Sequence, residues 1–338
     1  MRSSEPTFDA LTAAAAIFPS TARSGSRGWG EPQAGSGASS RTRWSTAATR
    51  PRAASSRNSP ACRRIGRQLR RFEREAVEAG DPPAARTYLS TDGTGVPVRM
   101  EEAEGVRGKG EDGEAEVFVV HSAETRHPET GEPENVPGSE TWSGSIDSAA
   151  AIGGVSRKSD FAARLEREAI RTGLREADEL VVILDGASWI LNVCEELFAG
   201  QKVTCILDFW HATEYSGKAK REKRLKELKS GLKAGGVASI IGELEPHRDR
   251  DEAVAKCIDY FKGNRERLRY DSYRKRGMQI GSGVVESSCR HIVGLRLKRP
   301  GSRWTLKGSN AMLAIKCALA NMRWVDFMDW KVGLSQAA

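Results

Sequence analysis

Leu180-Val-Val-Ile-Leu184 runs into Asp185-Gly-Ala, Ser188 to Phe198 follows, and Lys202-Val-Thr-Cys-Ile-Leu207 runs into Asp208-Phe-Trp-His211. The two apolar runs are rich in β-branched residues and lack polar alternation, as expected of strands buried on both faces. The segment between them is long enough for a helix, so strand, helix, strand reads as a parallel βαβ unit. Neighbouring parallel strands end side by side, and both of these end at an aspartate.

Upstream, Asp160 to Leu174 is predicted to be a helix, with Phe161, Leu165 and Ala169 on one face. Before it come three strand candidates: Arg86 to Thr91, Val96 to Met100, and Glu116 to His121. The first is expected to end at Asp92-Gly-Thr-Gly95. With no helix between them, the three are expected to form an antiparallel meander. Ser122 to Ser159 is punctuated by Pro128, Gly131, Pro133, Pro137 and Gly138 and reads as turns. A charged helix is expected over Arg63 to Glu78, ended by Gly80-Asp-Pro-Pro83.

Downstream, about seventy residues after His211 read as helical. They include a basic stretch from Ser216 to Lys233 and a helix from Asp251 to Tyr260. Gly281-Ser-Gly283 opens a further helix through Leu297, with Val285, Cys289 and Ile292 inward and Ser282 as its N-cap. Ser309 to Trp324 is the last helix, with Met312, Ile315, Leu319 and Met322 at core spacing. The expected class is α/β: a three-stranded antiparallel meander plus a parallel βαβ unit in one RNase H-like mixed sheet. An all-α insertion over 213–280 is expected before the last catalytic helix, giving a core of 62–212 and 281–330.

Residues 1–61 differ in texture. They are dominated by Ala, Ser, Arg, Gly and Pro, with no valine before Val77 and no lysine before Lys109. Such a stretch buries too little apolar surface to offset its ordering entropy. It reads either as a disordered basic arm or as GC-rich DNA translated out of frame. The net charge of +8 and pI near 9.2 suit a nucleic-acid partner. No apolar stretch is long enough to span a bilayer. Cys62, Cys194, Cys205, Cys257, Cys289 and Cys317 are scattered without a Cys-x-x-Cys, as in a reduced, cytosolic chain.

Three acids stand where a metal site is expected. Asp92 follows the first strand, Asp185 follows the fourth, and Glu286 sits in the first turn of the Gly-Ser-Gly helix. Each alone has a plainer reading, as a turn residue or a helix-dipole partner. Together they form a hard oxygen donor set suited to Mg²⁺ or Mn²⁺. His211 reads either as a core histidine bonded to Asp208 or as a group supporting a metal site. Arg290, Arg296, Lys298, Arg299, Arg303 and Lys307 carry no interspersed acid, a pattern that suits DNA phosphates. Trp304 among them reads as a core anchor or as an indole that stacks on an unpaired base. Cys289 lies on the apolar stripe and reads as packing.

Four blocks of this sequence resemble the transposases of ISKra-type bacterial insertion sequences, which are related to Mutator-like transposases. They are Asp92-Gly-Thr-Gly-Val-Pro97, Val182-Ile-Leu-Asp-Gly-Ala-Ser-Trp-Ile190, Asp208-Phe-Trp-His-Ala212, and Gly281-Ser-Gly-Val-Val-Glu-Ser-Ser-Cys289 followed by Arg296-Leu-Lys-Arg-Pro-Gly-Ser-Arg-Trp304. The resemblance spans about residues 63 to 330. It implies metal-dependent DNA cleavage and strand transfer, with Asp92, Asp185 and Glu286 holding two Mg²⁺ or Mn²⁺ ions. It matches Asp208 and His211 to the D-x-x-H signature of these enzymes. It also implies DNA partners (the terminal inverted repeats and the target), homo-oligomers on DNA, and a cytoplasmic, nucleoid-associated location without membrane. The family's elements before the first Asp have no counterpart in residues 1–61. A remnant that binds DNA without catalysis, or another RNase H-like nuclease, is therefore the alternative reading.

Overall fold

A computed structural model describes residues 59–336 except 83, 99–111, 147–159 and 220–224. The segment expected to be unstructured, 1–61, lies outside the described residues but for its last three.

The centre is a five-stranded mixed sheet. Its strands are β1 (Arg86–Pro97), β2 (Asp112–His121), β3 (Thr141–Ser145), β4 (Glu179–Leu184) and β5 (Val203–Leu207). Their order is β3-β2-β1-β4-β5. β2 is antiparallel to both β1 and β3, whereas β1, β4 and β5 run parallel. The meander and the βαβ unit are therefore both present, but two of the meander strands are not where the sequence suggested. β1 does not turn at Asp92-Gly-Thr-Gly95; it pairs with β2 from Tyr88 to Pro97, taking in Val96. Neither Gly93 nor Gly95 takes a positive φ, so both serve as strand residues. The third strand is Thr141–Ser145, inside the stretch read as turns, because Trp142-Ser-Gly-Ser145 offers almost no apolar alternation.

This edge strand is covered by side-chain amides. Asn321 accepts from Trp142 N and donates to Trp142 O, both at 2.8 Å. Asn310 does the same for Ile146, at 2.9 Å each way. Both asparagines belong to or follow helix α10 (Leu306–Ala320). The arrangement satisfies backbone groups that an open edge would present to other chains.

Period-two alternation along β4 sends its side chains to two apolar layers. Leu180, Val182 and Leu184 join Phe161 and Leu165 of α2 (Asp160–Arg171) and Ile190 and Val193 of α3 (Ser188–Leu197). Val181 and Ile183 join Phe209 and Ala212 of α4 (Phe209–Ala219), with Leu228, Ile240, Ile258 and Tyr270 beyond. The latter come from α5 (Leu225–Lys233), α6 (Val237–Leu244), α7 (Glu252–Gly263) and α8 (Tyr270–Lys275). The helices expected as an insertion thus share a core with the sheet.

Three tyrosines from these helices brace the strand ends. Tyr260 OH donates to Asp185 O at 2.7 Å, Tyr270 OH to Leu207 O at 2.9 Å, and Tyr273 OH to Glu266 O at 2.9 Å and Cys205 O at 3.4 Å. On the opposite layer, α1 (Pro60–Glu75) begins with Ser59 as N-cap and Pro60 at its first position. It packs on α10 so closely that a Cβ on Gly66 would lie 2.3 Å from that of Ala311. α11 (Trp324–Gln336) adds Phe327 and Trp330 against Phe72. Glu168 on α2 is buried between Arg323, at 2.5 and 2.9 Å, and Arg171 at 2.9 Å.

Helix α9 begins as Gly283–Ser288, widens into a π-helical segment over Cys289–Gly294, and ends with a turn at Leu295–Leu297. Val285, Cys289 and Ile292 are buried, as their spacing indicates. No helix among the described residues is long and apolar enough to cross a membrane.

Candidate functional site

The parallel register aligns three aspartates. Ser90 pairs with Ile183, and Ile183 with Ile206. Two residues further along each strand stand Asp92, Asp185 and Asp208, so they occupy one row across β1, β4 and β5. Two steps along a strand return to the same face.

Asp208 is 1% exposed and fully occupied by protein donors. Its Oδ1 accepts from Trp210 N at 3.0 Å and Ser282 N at 3.2 Å. Its Oδ2 accepts from His211 Nδ1 at 2.9 Å and from the Ser282 hydroxyl. Phe209 N donates to Ile280 O at 3.0 Å beside this cluster. The side chain thus fastens the end of β5 to the Gly-Ser-Gly turn that launches α9. Ser282 was expected to cap α9 with its side chain; it occupies the cap position, but its hydroxyl is committed to Asp208 instead.

His211 stands between two of the aspartates. Its Nδ1 meets Asp208 and its Nε2 lies 3.8 Å from Asp92 Oδ1. The hydrogen bond to Asp208 outweighs burial and, with the charges of Asp208, Asp92 and Asp185, raises the imidazole to about 9. It is therefore cationic at neutral pH. Burial pushes Asp92 up to about 6, and the nearby charges of Asp208 and Asp185 add to this, while His211 and Cys289 oppose it. Cys289 Sγ is 3.9 Å from Asp92 O. Burial raises the Cys289 thiol well above its ordinary value, which suits packing rather than nucleophilic chemistry.

Asp92, Asp208, His211 and Glu286 line one cavity of about 430 Å³, together with Ser282, Trp210 and Lys229. A second cavity of about 570 Å³ shares Asp92 and Glu286 and adds Arg290, His291 and Lys298. Asp185 lines neither. Its Oδ1 accepts from Ala187 N at 2.9 Å, and it acts on the site through its charge and its place in the row. Among the described residues, no three His, Cys, Asp or Glu side chains are grouped closely enough to hold a metal ion. The oxygen donors suit a hard cation in kind, but they are not drawn together into a ligand set.

The expected DNA-binding residues divide. Arg290 and Lys298 are exposed beside the acids, and Lys298 Nζ meets Thr94 Oγ1. Arg299 and Arg303 are exposed but line neither cavity, and Arg296 is half-buried. Trp304 requires a correction. It is fully buried, its Nε1 donates to Leu297 O at 2.9 Å, its backbone N donates to Pro97 O at the end of β1, and it bridges to Val98 just beyond. Its indole anchors the core and cannot stack on a base. The exposed indole at the site is Trp210, which the sequence reading passed over. A signal for it exists: Phe209, Ala212 and Thr213 face inward, which leaves Trp210 and Glu214, four apart, on the outer face of α4.

No protein-family model matches the sequence, and no curated protein matches it.

Proposed function

We propose that this chain is a DNA transposase of the ISKra type, with an RNase H-like core and Asp92, Asp185 and Glu286 as its acidic triad. The observation that carries the reading is the row of aspartates just past the last paired residues of the parallel strands β1, β4 and β5, with Glu286 of α9 on a cavity shared with Asp92. Ligands gather at such positions in open α/β sheets. The order β3-β2-β1-β4-β5, with only β2 antiparallel, agrees with the RNase H-like expectation.

Asp92, Asp185 and Glu286 would hold Mg²⁺ or Mn²⁺, and ions bound there polarise phosphoryl oxygens and stabilise a leaving oxygen. The remaining roles fall to the chain itself. Asp208 holds His211 in one orientation, and the imidazolium directs positive charge to a phosphate in the cavity. Arg290 and Lys298 flank the acids and bind the strand on either side of that phosphate. The partners are the element ends and the target DNA, engaged by a homo-oligomer in a bacterial cytoplasm.

A second reading, a DNA-binding chain without catalysis, is favoured by the absence of a grouped ligand set among the described residues. One experiment separates the two. The full chain is incubated with element-end DNA and Mn²⁺, and nicking and strand transfer are measured beside a thermal melt with and without Mn²⁺. Activity in the parent, lost together with the Mn²⁺ shift in Asp92→Asn, Asp185→Asn and Glu286→Gln, is the expected result. DNA binding with neither activity nor a Mn²⁺ shift would leave the second reading standing. An unchanged Mn²⁺ shift in Asp92→Asn would remove that residue from the triad.

A further inference from the structure

The end of the sheet opposite the acids is cationic. β4 runs from Glu179 to Leu184, so Glu179 lies about 20 Å from Asp185 along the strand. Glu179 is buried and is shared by three cations. Arg86 Nε donates to one of its oxygens at 2.9 Å, Arg276 meets the other, and Lys202 Nζ stands at 3.5 Å. Arg86 also donates to Arg276 O at 3.1 Å. The two guanidinium groups are thus fixed by a buried carboxylate, and both remain partly exposed.

The cationic surface continues toward the acids. Gly277 has a φ of 69°, and a Cβ on it would run into the Arg126 guanidinium, so Arg126 lies beside this group. Arg126 belongs to a small hairpin, Thr125–Arg126 paired with Pro133–Glu134. Glu132 of the same hairpin takes both Arg274, at 2.7 Å, and Lys233, at 3.9 Å. Lys275 pairs with Asp271 at 3.5 Å. Lys233 is one helical turn beyond Lys229 on α5, and Lys229 lines the cavity of Asp92 and Glu286. From Lys229 to Lys202, eight cations share three carboxylates. Surplus like charge repels itself, and an anion that bridges several cations relieves it. A run of phosphates does this and releases its own counterions.

Resting on the DNA reading above, we propose that Lys233, Arg126, Arg274, Arg276 and Lys202 form a track for the phosphate backbone of duplex DNA. The track leads from the acidic cavity over α5, the hairpin and α8 to the opposite end of the sheet. Arg290 and Lys298 hold the strand on one side of the reacting phosphate, and the track carries the duplex on the other. Its length of about 20 Å corresponds to roughly six base pairs.

The test uses the full chain and two element-end duplexes, a short core around the cleaved position and the same core extended by about ten base pairs on either side. Binding is read by anisotropy over a range of salt concentrations. In the parent, the extended duplex should bind more tightly than the core and with a steeper salt dependence. The triple variant Arg126→Ala, Lys202→Ala, Arg274→Ala should flatten the slope for the extended duplex by up to about 0.9 log unit per lost contact and leave core binding unchanged. All three side chains are exposed, and a thermal melt checks that the fold is kept. The charge-keeping triple Arg126→Lys, Lys202→Arg, Arg274→Lys should restore the slope, which a loss of folding would not allow. An unchanged slope in the alanine triple, or a parent that gains nothing from the extension, would overturn the track while leaving the DNA reading intact. If the parent binds neither duplex, the DNA reading falls and the track with it.

Discussion

Replacing Asp208 tests whether it is a structural fastening. The carboxylate is buried and accepts four hydrogen bonds, two from the backbone N–H groups of Trp210 and Ser282 and two from His211 and the Ser282 hydroxyl. Asp208→Ala leaves two backbone donors without an acceptor in the interior, at about 1–3 kcal/mol each. It also removes the counter-charge that keeps His211 protonated. The expected loss is about 3–5 kcal/mol, the range for breaking a buried charged pair by removing one partner. Asp208→Asn behaves differently, because its carbonyl can keep both backbone donors. Its amide can donate to the serine oxygen and to a neutral imidazole, so its cost should be nearer about 1–2 kcal/mol. Urea unfolding followed by circular dichroism reads both as shifts in midpoint at constant slope. A loss below about 0.5 kcal/mol in Asp208→Ala would refute the reasoning, since that is the size of an ordinary surface substitution. Equal losses in Ala and Asn would show that the charge, not the pair of backbone donors, matters.

Other expectations follow from single environments. His121 is fully buried, and burial lowers it to about 4, so it is neutral when folded. A base whose folded value lies below its unfolded 6.5 keeps its contribution above pH 6.5 and loses it as pH falls toward 4. Urea melts across that window should show up to about 3 kcal/mol lost in the parent and much less in His121→Gln. Glu168 is pushed up by burial, but Arg323 and Arg171 hold it below its ordinary value. Glu168→Gln should cost about 3–5 kcal/mol in a thermal or urea melt, and a neutral result would mean the guanidinium groups find water instead. Replacing Lys298, Arg299 and Arg303 by Ala should flatten the salt dependence of DNA binding by up to about 0.9 log unit per lost contact, with an unchanged slope placing them away from DNA.

The part of the fold most legible in the sequence is the strand buried on both faces, β4. The run from Leu180 to Leu184 is wholly aliphatic, that from Lys202 to Leu207 is half so, and β4 and β5 lie there to within one residue. The meander was harder because glycine is ambiguous. Gly93 and Gly95 suit a turn as well as a strand, and pairing with β2, distant in sequence, decides the matter. Thr141–Ser145 is held by β2 on one side and by two asparagines on the other, and none of these partners is local. At the site, Asp208 just before α4 and His211 in its first turn are three residues apart, which makes their contact readable. The link from Asp208 to Ser282 crosses 74 residues and leaves no local trace. Exposure is the least legible property of all: Trp304 and Trp210 both sit beside charged or polar residues, yet one is sealed in the core and the other faces solvent.

The π-helical segment at Cys289–Gly294 bears on how this block can vary over evolution. A π turn accommodates about one more residue than an α turn, so the two halves of α9 are phased against each other by roughly 100° compared with a regular helix. Glu286 and Leu297 are each correctly placed only because that residue is present. Side chains on the outer surface, such as Leu295, are free to drift. The count of residues between the acid and the end of the helix is not, because one deletion would turn the acid and the buried leucine out of step.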